Sequence, residues 1–361
     1  MSATDTPRRV VITSSVRWAW VSNVSNYFRI LDLEQERVTF TSPLPESAWR
    51  IHDPNPRGGQ RGARGVSVHG DRLVLANAER LFVFDTSWRL LAQLTRPELA
   101  DVHEVLAEES GIWTTAAGTD MLVLVGWDGE RKDWWSFRRD RRLVRKLGYR
   151  RSNLPRLSPD ADYRDPRIRA AAADSVHMNA VVRSGNDLLL LFGRIVNTGD
   201  ESTSFAVVRL SDRRRFRSRR ASLLHHRAGI DVPNHNVGEE GDLLVYNDSN
   251  RNCLVAFDPR SGEERVAVDI PGEPAFARGL TRLGPGRWLV GSQAPLAVHV
   301  VDLERAEIVG TYGLDGVENE TVVAISVLPD AFADPPRPVG EDPYAFWTQA
   351  SLGPGVTPIP V

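Results

Sequence analysis

The feature that most limits what this chain can fold into is a repeat of about 40 residues built from four short strands. The clearest copy runs from Arg278 to Leu314 and reads RGLTRL, GPGR, WLVGSQ, AVHVVDL and EIVGTYGL. The copy before it, from His235 to Ile270, reads HNVGEE, GDLLVYND, CLVAFD and PRSGEERVAVDI, with Pro259-Arg260-Ser261-Gly262 as its hairpin turn. A third copy, from Arg64 to Leu94, has the same order. The third strand of each unit closes on an aspartate: Asp85, Asp258 and Asp302, with Asp32 doing the same near the start. Apolar runs this short, separated by turn residues, signal an all-β chain. A four-stranded unit cannot bury both its faces alone, so the units must stack around an axis as the blades of a β-propeller.

Innermost strands are expected near Arg64, Val102, Val176, His235, Arg278 and Thr321. The last has no partners after it, and the first strands of the chain (RVVITSS, YFRILDL, RVTFTS) lack an innermost one. The expectation is therefore a six-bladed β-propeller over residues 1–330, its ring closed by the C-terminal inner strand joining the N-terminal strands, which removes free sheet edges. A seventh blade enters only if residues 138–173 hide one.

Two stretches fall outside the repeat. From Arg131 to Arg169 there are 14 Lys/Arg against 5 Asp/Glu, and residues 131–173 read as a basic insertion, either a solvated excursion or a lid that attracts anions. Residues 331–361 hold 7 prolines and read as a tail wandering over the surface. A second basic run, Arg213 to Arg220, fits a charged outer edge.

Composition excludes several classes. The formal net charge of -2 rules out a polycation built to coat nucleic acid, and aromatics do not interleave with the arginines as stacking would require. One cysteine, Cys253, rules out a disulfide scaffold or a cysteine zinc site. The polar start and the interrupted stretch after it suggest no leader, and no apolar run of about 18 residues suggests a membrane span. A soluble cytoplasmic protein is the expectation.

Function is sought where inner strands begin, at one mouth of the central channel. Those positions hold Arg64-Gly65, His103-Glu104, His177-Met178-Asn179, His235-Asn236, Arg278-Gly279 and Glu320-Thr321. Three successive blades thus offer His103, His177 and His235 at one structural position. Three imidazoles suit a divalent Fe, Cu or Zn ion with open coordination positions. Asn179 and Asn236 offer carbonyls to Ca or Mg as the competing metal. Glu104 and Glu320 are the candidates for proton transfer. Arg64 and Arg278 are the candidates for clamping a carboxylate or phosphate, and Asp101 and Asp174 could hold the ring N–H groups. The expected function is a metal-dependent enzyme acting on a small, polar, anionic molecule, with redox chemistry favoured over hydrolytic or lyase chemistry. The alternatives are a non-catalytic propeller that binds a peptide or protein partner, and a polar mouth that holds only water.

The run IPGEPAFARGLTRLGPGRWLVGSQ, then VHVVDLERAEIVG and VVAISVLPD, with PNHNVGEEGDLLVYNDS ahead of them, resembles a bacterial β-propeller-like family of unknown function. The likeness covers mainly Pro233 to Asp330. It implies the fold and marks Arg278-Gly279 and His235, and it implies no reaction.

Overall fold

The computed structural model describes residues 7–19, 23–53, 62–150, 154, 156–158, 160–169, 174–196, 202–211, 219–274, 276–350, 352–353 and 356. It is a six-bladed β-propeller in which every blade is a four-stranded antiparallel sheet. The inner strands are Glu320–Leu328, Ala63–His69, Val102–Glu108, Met178–Ser184, His235–Glu240 and Arg278–Gly284, for blades 1 to 6. Blade 1 is composite: Glu320–Leu328 pairs with Arg9–Val16, which continues to Asn26–Asp32 and Arg37–Ser42. The ring closes as the sequence led us to expect.

Period-2 alternation explains the stacking. In blade 2, Leu73 and Leu75 face blade 1 while Val74 and Ala76 face blade 3. In blade 4, Leu188 and Leu190 face blade 3 while Leu189 and Leu191 face blade 5. Each of the six gaps between blades holds its own apolar core in this way.

The repeated aspartates have one local cause. Asp32 Oδ1 accepts the N–H groups of Glu34 and Gln35, Asp85 Oδ1 those of Ser87 and Arg89, Asp258 Oδ1 those of Arg260 and Ser261, and Asp302 Oδ1 those of Glu304 and Arg305. Each carboxylate caps the turn into the outermost strand, which is why a short acidic residue recurs there.

Two expectations need correction. Arg131–Ser136 is not loop: it is the outermost strand of blade 3, with Trp135 buried in the core and Trp134 beneath the Arg139 guanidinium. The insertion proper follows it and carries a short helix, Arg141–Lys146. The C-terminal segment does not wander. Phe332, Phe346 and Trp347 are buried between blades 1 and 2, and Gly353 N–H donates to Leu90 O at 2.8 Å on the outermost strand of blade 2. Of the basic run Arg213 to Arg220, residues 212–218 lie outside the described residues, and Arg219 pairs with Asp133 at 2.8 Å. Among the described residues no helix is long and apolar enough to cross a membrane.

Candidate functional site at the channel mouth

Every inner strand begins with a one-residue β-bulge against its neighbour. By register the bulged pairs are Arg64-Gly65, His103-Glu104, Met178-Asn179, His235-Asn236, Arg278-Gly279 and, in blade 1, Val322-Val323. A bulge re-aims side chains, and here it gathers polar ones at a single mouth. Glycine is required where the bulge meets the next blade. A Cβ on Gly65 would lie 2.6 Å from Val105 N, and one on Gly279, at φ +77°, would lie 2.8 Å from Val322 Cγ1.

His103 and His235 therefore share a position with Arg64 and Arg278. His177 does not: Met178 fills that place and His177 precedes it. The three imidazoles are nonetheless neighbours. The rings of His103 and His177 meet edge-on at 4.6 Å between centroids, and both influence His235 electrostatically.

Each ring is anchored through Nδ1. That of His103 lies 2.9 Å from Asp101 O, and that of His177 lies 2.5 Å from Asp174 Oδ2. That of His235 lies 2.8 Å from Ser249 Oγ, whose own proton goes to Ala277 O at 2.8 Å. A carbonyl, a carboxylate and a hydroxyl whose proton is already committed can only accept. All three Nδ1 atoms therefore carry hydrogen, and the neutral rings of His103 and His235 keep a lone pair on Nε2. None of the Nε2 atoms has a hydrogen-bond partner among the described residues. Burial drives the imidazoles of His103 and His235 well below their ordinary pKa, and the neighbouring charge of Arg278 adds to this. Both are neutral at pH 7.

Arg278 stands among these groups. It is 9% exposed, and it makes no hydrogen bond or ion pair with any described residue. Burial, Arg64 and Arg17 together lower its pKa to about 9. Arg64 is held by Asp101 at 3.2 Å. Arg17 reaches in from the end of Arg9–Val16, its guanidinium 4.6 Å from the Phe276 ring centre. Phe276 in turn packs edge-on to His235 at 5.3 Å. Four residues of this mouth hold left-handed backbone: Asp101 (φ 53°), His177 (43°), Asn236 (52°) and Phe276 (45°). Such conformations cost about 1–3 kcal/mol each and collect at ligand sites.

Glu104 lines the same space. Its Oε2 accepts the Asn236 amide at 3.0 Å, and burial pushes its carboxyl up to about 8. The folded state thus favours the neutral acid. The stability this contributes is full below the unfolded value near 4.5 and is lost as pH rises toward 8. Glu104→Gln mimics the neutral acid. We expect its stability in urea to lie close to that of wild type at pH 5 and to exceed it at pH 9 by about 3–5 kcal/mol. An equal change at both pH values would refute the burial account.

The remaining candidates are occupied. Both oxygens of Glu320 are taken by Arg29, with Ser14 and Val317 N–H also donating, so its expected role in proton transfer is not carried forward. Asn236 spends Nδ2 on Glu104 and Oδ1 on Gly279 N–H and Asn247, leaving no carbonyl for Ca or Mg. Asn179 is the exception in part: its Nδ2 donates to Asn234 O, while its Oδ1 is a buried acceptor with no hydrogen-bond partner among the described residues. The donor atoms of the histidines have the chemistry of metal ligands, but no group of three or more His, Cys, Asp or Glu among the described residues is placed to hold an ion. Two arginines beside the imidazoles further oppose a dication. The set does not fit the expected metal. Arg17, Ser249 and Phe276 were not singled out in the sequence, because only the ring topology brings them to this mouth.

No protein-family model matches the chain, and no curated protein matches it. Among solved structures, a protein of unknown function from Bacteroides caccae is 11% identical, covering 88% of this chain and 98% of its own, with a TM-score of 0.54. A chain of a nidogen/laminin complex is 9% identical, covering 88% and 97%, with a TM-score of 0.53. At such identities the likeness is one of fold.

Proposed function

We propose that this protein is an enzyme acting by acid–base chemistry, without a metal, on a small anion held at the channel mouth. The observation that carries this is Arg278, a buried guanidinium that makes no hydrogen bond or ion pair with a described residue, and on which the carboxylates of Glu104 and Asp101 offset burial and the charges of Arg64 and Arg17 only in part. Burying a charge without a directly bonded counter-charge is costly, and an anionic ligand offsets that cost. A guanidinium takes a carboxylate or phosphate by two parallel hydrogen bonds. His177 supplies the base. Asp174 orients its ring through Nδ1 and also accepts its backbone N–H at 2.9 Å, which leaves Nε2 to take a proton.

The test is calorimetric binding of phosphate and propionate to wild type and Arg278→Met. Wild type is expected to bind both anions, even after exhaustive chelation. Arg278→Met is expected to weaken binding about 10- to 100-fold. The same variant, free of ligand, is expected to be no less stable than wild type, because it removes an uncompensated buried charge. Unchanged binding, or a clear loss of stability without ligand, would show Arg278 to be structural.

A further inference from the structure

The hydrogen positions on the three imidazoles narrow the kind of anion. Arg278, Arg64 and Arg17 are donors and cations, but the imidazoles of His103 and His235 beside them are acceptors. The Nε2 atoms of His103 and His235 each carry a lone pair with no hydrogen-bond partner among the described residues. A lone pair repels a second carboxylate or phosphate oxygen and needs a proton to bond to. Both rings are buried, at 6% and 3% exposure, and both keep their lone pairs because they stay neutral at pH 7. A plain fatty carboxylate would leave those acceptors unpaired, at a penalty typical of buried polar groups. A hydroxyl donates to them.

Resting on the anion site proposed above, we infer that the molecule held there is a small hydroxylated carboxylate, its carboxylate on Arg278 and its hydroxyls donating to Nε2 of His103 and His235. These two histidines then set specificity, while His177, fixed by Asp174, stays the base.

Three matched probes test this by isothermal calorimetry at pH 7: glycerate, propionate and glycerol. Glycerate is expected to bind about tenfold or more tightly than propionate, and glycerol not measurably. His235→Phe keeps a ring against Phe276 but removes the acceptor, and His103→Phe does the same on the other side. Each is expected to cut glycerate affinity about 5- to 20-fold while leaving propionate affinity within about twofold. If one variant fails to fold, the other carries the test. Glycerate and propionate binding equally well would overturn the hydroxyl inference and leave the anion site standing. Neither carboxylate binding, or glycerol binding as well as glycerate, would overturn the anion site itself.

Discussion

Glu320→Ala is expected to destabilise the protein by about 3–5 kcal/mol, the largest single effect we expect in the ring. Glu320 opens the last inner strand, and Arg29 lies on the third strand of the same composite blade. Both are buried, with Arg29 at 2% and Glu320 at 1% exposure. Arg29 Nη2 meets Glu320 Oε2 at 3.0 Å and Asp315 O at 3.1 Å, and Arg29 Nη1 reaches Oε1 and Ser14 Oγ. Alanine removes the carboxylate and strands the guanidinium in the core. The double variant Arg29→Met with Glu320→Leu is expected to recover most of the loss, because an apolar pair of similar volume replaces both charges. Denaturant titration of the three proteins checks this. A loss below about 1 kcal/mol for Glu320→Ala would put the pair in the class of exposed ion pairs and refute its role in closing the ring.

Trp347→Ala is the second. We expect a loss of about 3–5 kcal/mol. The indole lies on the helix Ala345–Gln349, far along the chain from the blades it touches. Its ring centre is 4.9 Å from Phe82, 5.5 Å from Phe84 and 6.2 Å from Phe28, and its Nε1 donates to Pro43 O at 2.6 Å. Truncation opens a large cavity between blades 1 and 2 and frees a buried carbonyl. A change in urea midpoint no larger than that of an exposed-residue variant would mean that the segment rests on the propeller without bracing it.

The repeat was legible because its signals are local. Apolar alternation, turn residues and the capping aspartates each act within a few residues, so the blade order and ring closure could be read directly. The bulged pairs Arg64-Gly65, His103-Glu104, His235-Asn236 and Arg278-Gly279 were also visible, since each is a polar step before an apolar strand. What could not be read depends on three-dimensional register. The run His177-Met178-Asn179 offers two residues for one bulge position, and only pairing with Phe192 selects Met178. Glu320 looked available because Arg29 is distant in sequence and sits in an ordinary strand, YFRILD. The outermost strand of blade 3 hid inside a basic stretch, because charges at Arg131 and Lys132 mask the alternation that Trp134 and Trp135 still carry. Prolines disguised the C-terminal anchor, since their density suggests a linker while Phe346 and Trp347 decide where it lies.

The pairing of Glu320–Leu328 with Arg9–Val16 also bears on how the chain is made. At roughly 5–20 residues per second, the ribosome delivers that partner roughly 15–60 seconds after the strand it must join. Through that interval the first strand keeps a raw edge of unsatisfied amides and carbonyls, the kind of template on which foreign chains add. Biogenesis should therefore depend on a holdase early in translation, and messages slowed late in the reading frame should yield more aggregate than those slowed early.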